Sequence, residues 1–155
     1  VQQMHLAHWY FVCVTFSFDT QAQISFYINA RHDSTHTLKE KLKPNEYPMR
    51  FGYPSVPMKR WRQTSMEGLY QGGLDDVSIW SMVLNSEMQR SIMFRLVQAS
   101  EQHLIAYYPM NEQSGKKVFD HSMHGLHGRI YGEPLRIPSF TKPLNQLSPL
   151  KRPFR

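Results

Sequence analysis

The sequence predicts an all-β fold, a sandwich or jelly roll of short strands with one short α-helix and an extended C-terminal arm. Three observations carry this. Residues 8–18 and 23–29 are rich in aromatic and β-branched side chains, the residues that suit a pleated surface. Gly and Pro recur at short intervals between the apolar segments, as in chains built from strands and turns. Only Met88 to Val97 sets its apolar residues at helical spacing. The 155 residues, 41% apolar and 19% charged, suffice for one core and are too apolar for general disorder.

Taken in order, His8 to Phe18 is apolar on both faces and is expected to be a central strand covered on two sides. Asp19–Ala22 supplies turn chemistry. Gln23 to Asn29 alternates, with Ile24, Phe26 and Ile28 on one face, completing a hairpin. Residues 30–68, punctuated by Pro44, Pro48, Pro54 and Pro57, form a long connection that hides short strands or a functional loop. Tyr70 to Trp80 alternates again. Ser86 is the expected N-cap of the helix, with Gln89 three residues on as a capping box. Met88, Ile92, Met93, Leu96 and Val97 share its apolar face, and Ala99–Glu101 ends it. Leu104 to Tyr108 reads as a strand stopped by Pro109, and Gly115, Gly125, Gly128 and Gly132 mark turns beyond it.

The formal net charge is +6, but it is unevenly placed. Arg136, Lys142, Lys151, Arg152 and Arg155 lie in residues 134–155 without an acid, leaving 13 bases against 12 acids in residues 1–133. A near-neutral body argues against a nucleic-acid-binding face, which spreads bases over the folded surface. The basic, Pro-rich segment is expected to be an extended partner-binding arm. The longest apolar run, Trp9 to Phe16, is far shorter than the ~20 residues of a membrane helix, so no transmembrane segment is expected. With Cys13 alone, neither an internal disulfide nor a cysteine zinc site can form.

Two segments carry a family resemblance. Trp9-Tyr10-Phe11-Val12 through Phe26-Tyr27-Ile28-Asn29, continuing through Gly72-Gly73-Leu74-Asp75-Asp76-Val77-Ser78-Ile79-Trp80 to Leu84–Met88, resembles the closing half of laminin-G-like/pentraxin-like domains of the concanavalin A-like lectin/glucanase jelly rolls. Leu104–Gly115 with Phe119-Asp120-His121-Ser122 and His127-Gly128 looks like the segment that opens such a domain. The resemblance implies a partial concanavalin A-like sandwich: residues 1–98 as the back half of a module, 103–133 as an opening or closing β segment, and 134–155 as the tail. The front strands that such a module has before Trp9 are missing, so a protein partner or the remainder of a larger chain is expected to complete the sandwich. The family's Asn-Gly turn reads Asn29-Ala30 here, which suggests a different turn type.

Candidate chemistry is sparse. Asp75 and Asp76, adjacent on an expected strand, would point to opposite faces and cannot form an acid–base couple. They are structural or, with Asp120, calcium ligands of the kind related jelly rolls hold near strand ends; calcium is the one cofactor considered. Asp120-His121-Ser122 cannot be a catalytic triad, because consecutive residues do not converge; an Asx-type turn is the alternative. His121, His124 and His127 repeat every three residues, but Gly125 and Gly128 oppose a helix that would gather them on one face. The superfamily's glycosidases need two carboxylates on one strand face, and no such pair occurs, so no enzyme is expected. Lys59, Arg60, Trp61 and Arg62 mix cations with an indole and are the candidate ligand-binding group.

The expectation is a non-catalytic laminin-G-like module acting in binding or assembly, with glycan or protein ligands and an extracellular setting implied by the resemblance. The competing expectation is a structural accessory subunit of a large multi-protein complex, with an organellar setting as the alternative location. The absence of an Asn-x-Ser/Thr acceptor, nine methionines and the basic arm favour the latter.

Overall fold

A computed structural model describes residues 3–6, 8–19, 21–40, 46–52 and 70–136. The chain divides into two units, Leu42–Leu74 and the remainder. In the smaller, the Tyr70 N–H donates to the Gly52 carbonyl (3.1 Å), and the Tyr70 hydroxyl to that of Gly73 (3.0 Å). The larger unit is mostly antiparallel strand with a single short helix: β1 (Val12–Ser17), β2 (Gln23–Ile28), β3 (Arg31–Thr37), β4 (Val77–Trp80), α1 (Ser86–Met93), β5 (Leu104–Tyr108), β6 (Lys117–Val118) and β7 (Gly128–Arg129). Three sheets result, in the orders β1-β2-β3, β4-β5 and β6-β7. No helix among the described residues is long and apolar enough to cross a membrane.

The first sheet departs from expectation in three ways. β1 is an edge strand, not a central one. Its pairing sets Val12, Val14 and Phe16 opposite Ile28, Phe26 and Ile24, so these six share a face. Val12, Val14 and Phe16 are 54, 40 and 44% exposed; the strand is apolar on that side without being covered there. On the other face Thr15 is buried, and burial pushes the Cys13 thiol up.

Second, β3 occupies part of the expected loop. Its residues Arg31–Thr37 carry no apolar alternation; the strand is held by the backbone ladder to β2, with Asp33 the extra residue where the register shifts. Polar side chains suit an edge strand, because they discourage further pairing. The Ser25 and Thr35 hydroxyls bond at 2.7 Å across the two strands.

Third, the turn between β2 and β3 is the primed type after all. Asn29 and Ala30 have φ of 51° and 58°, the positive pair that a two-residue I′ hairpin needs. Asn29 does more than tolerate this conformation. Its N–H donates to the Phe11 carbonyl (2.8 Å) and its side-chain oxygen accepts the Phe11 N–H (3.0 Å), extending the β1–β2 ladder by one rung. Asn29→Ala should therefore cost about 1–2 kcal/mol, from one lost hydrogen bond and an orphaned N–H. A lower urea midpoint at unchanged m-value would register it; an unchanged midpoint would show that water replaces the rung. Ala30→Gly should stay near neutral, because relief of left-handed strain is offset by a looser unfolded chain and by loss of a buried methyl.

The core gathers Leu84, Ile92, Val97, Leu104 and Tyr107, with Phe11, Trp80 and Met88 against them. Asn85 caps α1 rather than Ser86: it is extended (φ −72°, ψ 170°), and its side chain accepts the Met88 N–H at 2.9 Å. Gln89 does not reach back as a box partner. It is fully buried, donating to the Leu84 carbonyl at 2.8 Å. The helix stops at Met93, where Phe94 N–H bonds the Ser91 carbonyl in a tightened last turn. Val97 thus enters the core from a loop. That loop is held by Arg95, which forks onto Glu101 at 2.5 and 2.6 Å; the Arg95 guanidinium holds the Glu101 carboxyl below the usual range.

Candidate functional site

The strongest polar constellation lies on β5 and the loop after β6. β5 pairs with β4 on one side, with Ser78 opposite Tyr107. On the other side no regular strand follows. Instead the His121 N–H donates to the Tyr107 carbonyl (2.7 Å), the Tyr107 N–H donates to the Asp120 carboxylate (2.9 Å), and the Ser122 hydroxyl lies 3.1 Å from the Ile105 carbonyl, sharing its one proton between that oxygen and Asp120. Residues 120–122 cover the second edge of β5, with one carboxylate standing in for a backbone carbonyl.

Asp120 is 7% exposed and saturated with donors. One oxygen takes the N–H groups of Tyr107 and Ser122 (2.9 and 2.8 Å); the other takes the Ser122 hydroxyl and the Leu126 N–H, both at 2.8 Å. Burial alone would raise its pKa, but these four donors outweigh it and hold the carboxyl down at about 2. The Ser122 hydroxyl in turn accepts the His124 N–H (3.2 Å). The Asx-type turn expected of Asp-His-Ser is present. No nucleophile–base contact occurs within it: Ser122 faces a carbonyl and the carboxylate, not an imidazole.

The histidines are spent on backbone. His124 Nε2 lies 3.1 Å from the Leu104 carbonyl, and His127 Nδ1 accepts the Asp120 N–H at 3.1 Å. His121 packs edge-on against the Tyr107 ring.

Asp75 and Asp76 precede β4 rather than lying on it, so the opposite-face argument does not apply. Asp76 has a left-handed φ of 49°, and its carboxylate accepts the Tyr107 hydroxyl at 2.5 Å. Burial, reinforced by Asp76, pushes the Tyr107 phenol well above its ordinary pKa. Asp76 and Asp120 therefore hold opposite ends of one residue, the hydroxyl and the backbone N–H of Tyr107. Among the described residues no three metal-ligating side chains come together, and the Asp120 oxygens are engaged by protein donors.

The other candidates scatter. Lys59, Arg60, Trp61 and Arg62 lie outside the described residues, as do Lys142, Lys151, Arg152 and Arg155. Arg136 is folded back: its guanidinium donates to the Glu112 carbonyl at 2.5 Å and to that of Gly115. A shallow groove beside α1 is lined by Trp80, Glu87, Met88, Ile92 and the Arg95–Glu101 pair, whose two charges already meet each other.

The exposed edge expected of a partial sandwich falls, among the described residues, on β1, which the sequence had offered as a central strand. The ladder directs the Phe11 backbone to Asn29, and the alternation continues along β1. Cys13, Thr15 and Ser17 therefore face β2, and Val12, Val14 and Phe16 aim their N–H and C=O groups away from it. Among the described residues no strand pairs with that edge. The same three residues expose the apolar face, which Phe18 extends.

A family model of laminin G-like domains, described as the concanavalin A-like lectin/glucanases superfamily, matches residues 2–88. The match takes in β1 to β4 and the first turn of α1, and leaves β5 to β7 and Asp120 outside it. No curated protein and no solved structure matches the chain.

Proposed function

The chain belongs to the concanavalin A-like lectin/glucanases superfamily through its laminin G-like segment, and on that premise we propose that it is a non-catalytic assembly module whose ligand is a protein strand added to β1. Domains of this kind serve in binding generally, and they are generally non-catalytic. The observation that supports a protein ligand is the coincidence of an unpaired edge and an exposed apolar face on Val12, Val14 and Phe16. An extended segment with alternating apolar residues satisfies both at once: its backbone completes the ladder and its side chains extend the apolar face. Left open, such an edge invites aggregation. This reading favours an assembly role over recognition of a free glycan, which needs polar groups converging on a cleft.

Val14→Pro tests it selectively. The Val14 N–H points away from β2, so proline there removes no rung of the existing ladder while blocking any added strand. Hydrogen exchange of the wild-type chain, alone and in the assembly recovered through a tag on it, reads the edge directly. The amides of Val12, Val14 and Phe16 are expected to exchange quickly in the isolated chain and at least ~100-fold more slowly in the assembly, as for amides taken into a ladder. Val14→Pro should fold yet fail to enter the assembly. Equal exchange in both states, or undiminished assembly by Val14→Pro, would refute the reading. Calcium-dependent retention on a glycan array would also count against it.

A further inference from the structure

We propose that the β6–β7 ribbon carries a binding site for a phosphate-type dianion between Lys117 and Arg129. Lys117 pairs with Arg129 and Val118 with Gly128, and the Ile130 N–H bonds the Lys116 carbonyl at 2.8 Å. That places Lys117 and Arg129 at a non-hydrogen-bonded position, where side chains of opposed residues come closest. Two cations sit directly opposite each other, an arrangement that costs stability unless something neutralises it.

No acid of the surrounding segment does. The segment 109–136 contains three acids, Glu112, Asp120 and Glu133, and each is engaged elsewhere. Glu133 pairs with Lys116; Glu112 accepts the Phe119 N–H at 2.7 Å; Asp120 is filled by its four donors. The segment's remaining base, Arg136, is bound to carbonyls. Lys117 and Arg129 are left as two exposed, uncompensated positive charges on one face.

They are also held in place. The Lys117 ammonium lies 4.7 Å from the centre of the Phe119 ring, and the Arg129 guanidinium 5.6 Å from that of Tyr131. Each cation thus rests on the aromatic side chain two residues further along the chain, and because the strands are antiparallel the two rings flank the pair toward opposite ends of the ribbon. Resting on a ring restricts a long side chain before any ligand arrives, which lowers the ordering cost of binding. The ribbon below is fixed by the Asp120 network through Leu126 and His127. Two fixed positive charges are matched by one dianion, whereas a carboxylate neutralises only one. A phosphate monoester carries nearly two negative charges near neutral pH, and it offers oxygens to the ammonium and the guanidinium together. The source is either a phosphorylated side chain of a partner or a phosphate-bearing small molecule. The site is independent of strand addition at β1.

The test is an amide-resolved NMR titration of the full chain at pH 7.5 and constant ionic strength. Inorganic phosphate, O-phosphoserine and acetate serve as probes. Both phosphates are expected to shift the Lys117, Val118, Gly128 and Arg129 amides saturably, with acetate roughly fivefold weaker or worse, as expected for one lost charge contact. Tighter binding of O-phosphoserine would indicate a phosphorylated side chain as the source, and equal binding a small molecule. Lys117→Gln/Arg129→Gln should lose the saturable response, whereas Arg129→Lys should keep most of it; circular dichroism checks that both variants fold. Lowering the pH to 5.5, where the ester becomes largely a monoanion, should weaken binding several-fold. Linear shifts of equal size with acetate, or an unchanged response in the double variant, would overturn the proposal.

Discussion

Asp120→Ala is expected to destabilise the larger unit by about 3–4 kcal/mol. The carboxylate accepts three backbone N–H groups and one hydroxyl; alanine leaves the three N–H groups without their acceptor, while the Ser122 hydroxyl can turn to the Ile105 carbonyl. A buried donor left unsatisfied costs about 1–3 kcal/mol, and the Tyr107 N–H lies on a buried strand residue that water does not easily reach. Asp120→Asn should be little better, because its amide offers only one acceptor oxygen to donors that converge on two. Urea unfolding followed by tryptophan fluorescence checks both. A loss below about 1 kcal/mol would mean that water enters the 120–126 loop and replaces the carboxylate.

The same carboxylate gives the fold an acid limit. Asp120 titrates at about 2 in the folded chain, below the ordinary value near 4 of an unfolded aspartate. A depressed folded pKa contributes stability that is complete above about pH 5 and is lost as pH falls from there towards 2, because the unfolded chain takes up the proton first. The difference corresponds to roughly 2 kcal/mol. Wild type should show this decline, and Asp120→Ala should be flatter by that amount across the same range. Parallel profiles would assign the acid sensitivity to other carboxylates.

Tyr107→Phe is the second large effect, at about 2–3 kcal/mol. The variant keeps the ring in the core and removes only the hydroxyl that donates to Asp76 at 2.5 Å; hydrogen bonds to charged groups are worth about 1.5–3 kcal/mol. The lost bond ties β5 to the left-handed turn that aims the chain into β4, so exchange protection of β4 amides should fall with global stability. The alkaline limb gives a separate reading. Because the Tyr107 phenol is raised by burial and by Asp76, its contribution is full below about pH 10 and declines as pH rises past that value, where unfolded tyrosine ionises first. Ionisation of Tyr107 in the folded chain at pH 10, seen in its ultraviolet absorbance, would refute the buried bond.

How much of this was legible depended on the range of the interaction. The hairpin of β1 and β2, the helix and the strand from Leu104 to Tyr108 follow from composition and spacing, since each is decided within a few residues. The Asp-His-Ser turn was legible for the same reason. β3 was not, because Arg31–Thr37 has no apolar pattern; it is a strand only because the turn at Asn29-Ala30 delivers it beside β2. Asn85 was hidden behind Ser86, since both residue types cap helices and only the backbone angles choose between them. The far end of the helix was placed too late because Leu96 and Val97 continue the helical spacing, whereas the Arg95–Glu101 fork draws the chain out of it.

Sequence alone therefore determined the class of fold, the family of the first 88 residues, and the near-neutral body with its basic C-terminal segment. These are properties of composition and local order, which do not need a partner to be read. Tertiary structure decided what the functional-looking residues are for. It set Asp76 and Asp120 at the two ends of Tyr107, opposed Lys117 to Arg129, and, among the described residues, placed β1 at the sheet edge along Val12, Val14 and Phe16. Each of those outcomes joins residues distant in sequence, or depends on which strand fails to arrive, and register and edge position exist only once the strands have met.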